Sequence, residues 1–239
     1  MRCFVIAARE LKVAFDSPIA WVIWGVVPAA TAAFFFVLGS FFDQGIASMR
    51  GWFALMPFLL VVIAPALTMR MWAEEIRSGT FELLRTMPFT VFDLVVGKFL
   101  AAFGLLAIAL CFSAATPISI SLLGELDWGP VFAAYFGTLL LGAASVACGL
   151  FCSAFTRNQV VAWLLGVALL TICNLFASAA MAEAMPPSLG RIFLHLDFGV
   201  RFAGMTRGVL PLEDILFFLS VSAFFLSWNG MLLQRRRWS

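Results

Sequence analysis

Residues able to carry chemistry are few and scattered in this 239-residue sequence. His195 is the single histidine, and Cys148 and Cys152 are the two cysteines that lie four residues apart, on one face of a helix. A zinc or haem site needs more ligands than this set supplies. Because cysteines inside apolar segments behave as small hydrophobic residues, we expect them to pack helices and to bind no metal. The full set of cysteines is Cys3, Cys111, Cys148, Cys152 and Cys173.

Sequence motifs for catalysis and nucleotide binding are missing. There is no H-E-x-x-H and no nucleophile elbow, which leaves a serine–histidine dyad using His195 as the enzymatic alternative. Gly97-Lys98 resembles the end of a phosphate-binding loop. That loop also needs a glycine five positions before Gly97 and a Ser or Thr after Lys98, where this sequence has Phe92 and Phe99. We therefore expect neither ATP nor another cofactor to bind this chain, and we predict that it is not an enzyme.

Long runs of uncharged residues determine the fold that must position any functional residue. Hydrophobic residues make up 63% and charged residues 12% of the sequence, whereas soluble domains carry about a quarter charged residues. About 20 apolar residues in a helix cross the hydrocarbon layer, and barrel strands would alternate apolar and polar residues instead. The sequence predicts an all-α integral membrane protein, a single transmembrane domain over 1–239. Its six predicted spans are 17–42, 51–69, 99–124, 128–156, 158–182 and 215–234.

Positive charge sets the predicted orientation. With the N-terminus in the cytoplasm, eleven of the fifteen Lys and Arg residues lie inside and four outside, as the positive-inside rule requires. Both termini are therefore expected in the cytoplasm. The net charge of +2 and the short basic C-terminus give no reason to expect a nucleic-acid partner.

Residues 1–16 and two faces of small residues predict how helices meet. Phe4, Ala8, Leu11 and Phe15 form one stripe of 1–16, which predicts an interfacial helix on the inner leaflet. In the first span, Pro28 predicts a kink. Small residues at four-residue spacing let helices approach closely, within one chain or between two. They are Gly25, Ala29 and Ala33 in the first span, and Ser145, Gly149 and Ser153 in the fourth.

The outer segment 183–214 mixes apolar and basic residues and predicts short amphipathic helices at the outer membrane face. Glu213 and Asp214 then open the sixth span, because negative charges are favourable near a helix N-terminus.

The segment 70–98 carries the most information. It predicts a charged helix that ends at Gly79, then a two-turn helix capped by Thr80 and ended by Pro88. A capping box of Thr90 and Asp93 starts the third span. The short helix has an apolar stripe of Phe81, Leu84 and Met87, which predicts either a docking surface for a protein or a helix lying flat on lipid.

The spans carry no charge in mid-membrane. Such charges are costly and are kept for proton or ion coupling, so their absence disfavours a proton-driven transporter and a charge-lined channel. Energy for any work must then come from a partner protein.

Residues 73–88, with Asp93 and Gly97-Lys98, resemble the cytoplasmic coupling region of type-2 ATP-binding-cassette (ABC) permeases, closest to the gliding-motility and copper-maturation branch. The resemblance implies a type-2 ABC permease fold in the bacterial inner membrane. It implies pairing of two six-helix subunits, as a homodimer or with a paralogue, and a coupling helix that docks on a separate ATPase. ATP and Mg would bind that partner. The implied contact residues are Glu74, Glu75, Gly79, Thr80, Glu82, Leu83, Leu84 and Pro88.

The sequence thus predicts a permease subunit that drives export or mechanical work. One alternative is a non-transporting subunit that acts through 183–214 on an extracytoplasmic auxiliary protein. The other is a stand-alone secondary transporter.

Overall fold

The computed structural model describes residues 2–16, 21–38, 48–81, 89–175 and 196–235, and all regular structure in these ranges is helical. This confirms the predicted all-α class for the described part of the chain. Single π-helical turns, Val22–Val26 and Phe34–Leu38, flank the second helix. The α-helices are α1 Arg2–Phe15, α2 Val27–Ala33, α3 Arg50–Ala54, α4 Met56–Ser78, α5 Val91–Ser113, α6 Ala115–Leu123, α7 Trp128–Ser153, α8 Gln159–Leu175, α9 Phe198–Met205 and α10 Leu212–Arg235.

Four helical stretches in the described ranges are long and apolar enough to cross a membrane: Met56–Ser78, Val91–Leu123, Trp128–Ser153 and Leu212–Arg235. They coincide with the predicted second, third, fourth and sixth spans. Shorter apolar helices, Val27–Phe36 and Gln159–Asn174, fall within the first and fifth. Parts of those two spans, 17–20, 39–42 and 176–182, lie outside the described residues, so the count of six remains a prediction.

Prolines make three of the predicted spans irregular. Pro28 follows the π-helical turn Val22–Val26, as expected where a proline removes a donor from the helix ladder. The third span is broken at Ala114, because Pro117 cannot donate to the carbonyl of Ser113. In the second span α3 ends before Leu55, and α4 begins afresh with a proline in its first turn, a favoured position. Charge-free length, from which the spans 51–69 and 99–124 are predicted, does not locate these turns.

The central helix is α7, which packs against α4, α5, α8, α9 and α10. Small residues allow this close packing. A Cβ built on Gly142 would overlap the Leu106 side chain, and one on Gly149 would overlap the Thr68 hydroxyl. Because apolar contact with a neighbouring helix is no better than contact with lipid, such close van der Waals packing is what holds membrane helices together.

The N-terminal helix α1 lies along α5. It buries Ile6 and Ala7, whereas Phe4 is 70% and Phe15 43% exposed. The predicted apolar stripe of α1 is therefore divided. Leu11 packs against the core beside Gly104 of α5, whereas Ala8 is exposed together with the two phenylalanines. An interfacial position of α1 remains a prediction.

Candidate functional site

The C-terminal end of α4, the N-terminal end of α5 and helix α1 meet at a buried lysine. Lys98 lies two turns into α5 and is 1% exposed. Its ammonium donates hydrogen bonds to Glu75 Oε1 at 2.7 Å, to the Met71 carbonyl at 2.9 Å and to Glu10 Oε1 at 3.2 Å. A lysine has three N–H donors, so these three acceptors from α1 and α4 satisfy it fully. We call Lys98, Glu75 and Glu10 the Lys98 cluster.

Electrostatics in the Lys98 cluster are those of a buried ion triad with one positive and two negative groups. The Glu75 and Glu10 side chains are 15% and 17% exposed. Ions of this kind are costly to bury, but removing one partner from an existing set costs about 3–5 kcal/mol, because the others stay buried and unpaired. The cluster therefore fixes α1, α4 and α5 relative to one another.

Aromatic contacts connect the Lys98 cluster with the predicted coupling segment. The Lys98 ammonium lies 4.9 Å from the centre of the Trp72 ring, within reach of a cation–π interaction. Trp72 also contacts Phe81, and the centres of the two rings are 5.9 Å apart in a T-shaped arrangement. A continuous series of contacts thus runs from Phe81 through Trp72 and Lys98 to Glu10 on α1.

The start of α5 carries the predicted capping box. The Thr90 hydroxyl accepts from the Asp93 backbone N–H, and Asp93 Oδ2 accepts from the Thr90 N–H. The Cys3 thiol of α1 donates to Asp93 Oδ1 at 3.1 Å. This hydrogen bond to a carboxylate, with burial as a smaller cause, raises the pKa of Cys3.

Gly97 explains why α1 can approach α5. A Cβ at Gly97 would lie 2.7 Å from two carbons of Ile6 and 3.0 Å from the Cys3 carbonyl. The Gly97-Lys98 pair, read in the sequence as an incomplete phosphate loop, therefore has two structural roles. Gly97 provides the space for α1, and Lys98 provides the charge that binds it.

Of the residues predicted for the ATPase contact, the described ones have different environments. Glu74 pairs with Arg77 at 2.9 Å near the surface, and its other oxygen accepts from the Gln159 amide on α8. Glu75 faces inward on Lys98. Gly79 adopts a φ of 75°, the left-handed conformation that ends α4.

Phe81 departs from the predicted stripe, because it is only 8% exposed and packs on Trp72. A helix capped by Thr80 would begin at Phe81, but Thr80 is itself helical. The Thr80 hydroxyl is 2.9 Å from that of Ser78. The remaining predicted contacts, Glu82, Leu83, Leu84, Met87 and Pro88, lie outside the described residues.

The two predicted small-residue faces have different surroundings. Ser145, Gly149 and Ser153 are buried inside the chain. The Ser153 hydroxyl accepts from the backbone N–H groups of Trp72 and Ala73 and donates to the Met69 carbonyl, so it joins α7 to the end of α4. By contrast, Gly25, Ala29 and Ala33 are exposed, and a Cβ at Gly25 would meet no atom within 4 Å.

At the opposite end of the bundle, Asp197 caps α9 through the N–H groups of Gly199 and Val200. Burial raises the pKa of this carboxyl. Arg201 pairs with Asp214 in the first turn of α10 at 2.7 Å and lies over the Phe217 ring. A short helix within 183–214 and an acidic first turn of α10 are present, and their position at the outer membrane face stays a prediction. His195 and the rest of 183–195 lie outside the described residues.

Metal-binding geometry is not seen among the described residues, where no three His, Cys, Asp or Glu side chains are grouped to hold an ion. Cys148 and Cys152 are buried free thiols on α7.

The Lys98 cluster was not foreseen from the sequence. Its one sequence signal was a lysine directly before an apolar run, with carboxylates in two other polar segments.

Comparison with known proteins identifies the family of the chain. None of the curated proteins matches the chain. The sequence model of the family described as ABC-2 family transporter protein matches residues 5–221, which includes most of α1, the Lys98 cluster, α7 and the first part of α10. With all-helical structure and several membrane-length helices, this shows that the chain belongs to the ABC-2 transporter family, as a membrane permease component of an ABC transporter.

Proposed function

We propose that this permease couples ATP hydrolysis on a separate ATPase subunit to export or mechanical work across the bacterial inner membrane. The observation that carries the proposal is the series of contacts from Phe81 through Trp72 and Lys98 to Glu10. A push on the segment that follows Gly79 would reach α1 and α5 through buried contacts. We place the chain in the gliding-motility and copper-maturation branch, on the motif at 73–88.

In this proposal, six spans cross the membrane and both termini are cytoplasmic. The grouping of charged residues supports the arrangement. Glu10 from α1, Glu75 from α4 and Lys98 from α5 meet at one end, and Gln159 from α8 joins Glu74 there. These segments are the ones that the positive-inside rule assigns to the cytoplasm.

We further propose that two copies, or this chain and a paralogue, pair through the first span. The exposed face of Gly25, Ala29 and Ala33 supports this, because small residues allow close helix approach and the described part of the chain leaves this face uncovered. The equivalent face on α7 is already used inside the chain and is unsuited to pairing.

A mechanical function without transport is the second candidate. Helix α9 is joined to α10 by the Arg201–Asp214 ion pair and packs on α7. Motion of the bundle would therefore move α9 as part of a rigid outer surface. An extracytoplasmic auxiliary subunit bound at this surface could receive the work.

The test of the proposed function is recovery of the ATPase by the permease. Leu84→Asp places a charge in the predicted docking stripe and removes an apolar anchor. Losing an anchor of roughly 1–3 kcal/mol would weaken the complex about five- to more than a hundredfold. Leu210→Asp, at an exposed site beyond α9, is the matched control.

We expect Leu84→Asp to lose both ATPase recovery and membrane-stimulated hydrolysis at equal membrane levels, and Leu210→Asp to lose neither. If Leu84→Asp recovers the ATPase as well as the wild type does, the segment 82–88 is not the coupling helix. A helix lying on lipid would give that result.

A further inference from the structure

A cavity of about 550 Å³ lies beside the Lys98 cluster, between α1, α4, α5 and α8. Its lining changes from apolar to charged along α4. Ala66 and Leu67 line one end, together with Leu105 of α5, and Arg70 and Arg77 line the other. From Ala66 to Arg77 a helix rises about 16 Å, which is enough for a phospholipid head group and the first part of an acyl chain.

The position of the cavity matches this polarity. The predicted second span ends at residue 69, so the apolar end lies at hydrocarbon depth and the charged end at head-group level. On α1, Val13 lines the cavity and is 59% exposed. A lipid of the inner leaflet therefore has direct access at Val13, next to the exposed phenylalanines of α1.

The charges and polar atoms of the lining favour one class of lipid. Four cationic and three anionic side chains line the cavity, a net charge of +1. Glu75 uses Oε1 for Lys98, while its buried Oε2 has no hydrogen-bond partner among the described residues. A ligand that fits both features is anionic overall and also donates a hydrogen bond.

We propose that this cavity binds an anionic phospholipid of the inner leaflet whose head group carries a hydroxyl donor. The phosphate interacts with Arg9 and Arg70, which both line the charged end. The head-group hydroxyl donates to Glu75 Oε2. One acyl chain lies between Val13 of α1 and Leu67 of α4. This site does not depend on an ATPase partner.

The experiment uses the full chain in nanodiscs of palmitoyl-oleoyl-phosphatidylglycerol and palmitoyl-oleoyl-phosphatidylcholine in equal amounts. Lipids retained after gentle release are counted by native mass spectrometry. A phosphatidylglycerol with a diazirine on its acyl chain maps the site. The variants are the double variant Arg9→Gln/Arg70→Gln at the charged end and Ala66→Phe at the apolar end, with Arg207→Gln at the opposite end of the bundle as control.

Wild type and Arg207→Gln should retain phosphatidylglycerol in preference to phosphatidylcholine, with cross-links at 9–14 and 66–71. Losing two charge-assisted phosphate contacts should lower the retention of phosphatidylglycerol by about tenfold or more. Ala66→Phe fills the chain end of the cavity and should lower the retention of both lipids.

The proposal is overturned if the double variant retains as much phosphatidylglycerol as the wild type, or if cross-links fall only on outward-facing residues. It is equally overturned if inorganic phosphate at matched concentration displaces the lipid, because the site would then bind the anion alone. Since the two variants alter different ends, misfolding of one leaves the other as a test.

Discussion

Replacing Lys98 tests whether the buried cluster is essential to the end of the bundle that we propose couples to the ATPase. Lys98→Met keeps the approximate shape of the side chain and removes the charge. Glu75 and Glu10, 15% and 17% exposed, would then face each other without a cation. We expect a loss of about 3–5 kcal/mol in the free energy of unfolding, the cost of leaving buried charges unpaired.

The structure supplies a matched comparison on α4, the helix that carries Glu75. Glu74 and Arg77 form an ion pair at 2.9 Å, similar to the Glu75–Lys98 distance of 2.7 Å, but with side chains 41% and 64% exposed. Exposed pairs are worth about 0.2–1 kcal/mol. Arg77→Met should therefore cost several times less than Lys98→Met, and the difference arises from burial.

The measurement is thermal or denaturant unfolding in detergent, with membrane-stimulated ATPase activity as the functional readout. The triple variant Lys98→Met/Glu10→Gln/Glu75→Gln removes all three charges and should recover most of the stability, because neutral replacement of a buried ion set is often tolerated. It should still lack stimulation of the ATPase, since the polar contact between α1 and α4 is gone. Equal destabilisation by Lys98→Met and Arg77→Met would refute the stability argument, and full stimulation by the triple variant would refute the coupling role.

Three further predictions concern glycines. Gly149→Leu should lower the free energy of unfolding by about 1–3 kcal/mol or more, because the leucine overpacks against Thr68. Gly25→Leu should change the free energy of unfolding little and should instead reduce the dimer fraction measured by light scattering in nanodiscs. A dimer fraction unaffected by Gly25→Leu would contradict pairing through the first span. Gly97→Ala should push α1 away from α5 at Ile6 and raise hydrogen exchange across residues 2–15, and unchanged exchange there would show that α1 does not need this glycine.

Features governed by near neighbours in the chain could be predicted from the sequence. The end of α4 at Gly79, the capping box of Thr90 and Asp93, and the acidic first turn of α10 all appear in the structure. Each depends on residues within about one turn of the helix terminus, where capping and dipole effects act. The positions of apolar helices were predictable for the same reason, because charge-free length is a local property.

The Lys98 cluster could not be predicted, because its carboxylates lie 23 and 88 residues away in the chain. The sequence shows each as an ordinary charge in a polar segment, and only tertiary packing brings them together. Glu75 was accordingly assigned to the surface that binds the ATPase, although it faces inward. Phe81 was assigned to an exposed stripe for the same reason, since the Trp72 ring that covers it belongs to the preceding helix.

Small-residue faces show a different limit of sequence reasoning. Gly25 and Gly149 occupy equivalent patterns, yet one faces outward and the other contacts α4. The pattern establishes that a close approach is possible, because a glycine leaves room for a neighbouring backbone. Which helix makes the approach depends on the arrangement of the whole bundle. The packing of α7 shows that the Gly149 face is used within the chain, whereas pairing of two chains through the Gly25 face is a proposal.

The physics of the membrane boundary explains why a lysine, rather than another apolar residue, joins these helices. Close van der Waals packing holds membrane helices together, and hydrogen bonds between helices add directional contacts to it. Met or Leu at position 98 could fill the same space but could not bind Glu75, Glu10 and the Met71 carbonyl at once. Because these acceptors lie on two helices, movement of α4 alters the hydrogen bonds that hold α1. In the proposed coupling function, a buried ion cluster at this position gives fixed geometry at rest and a defined response when one helix moves.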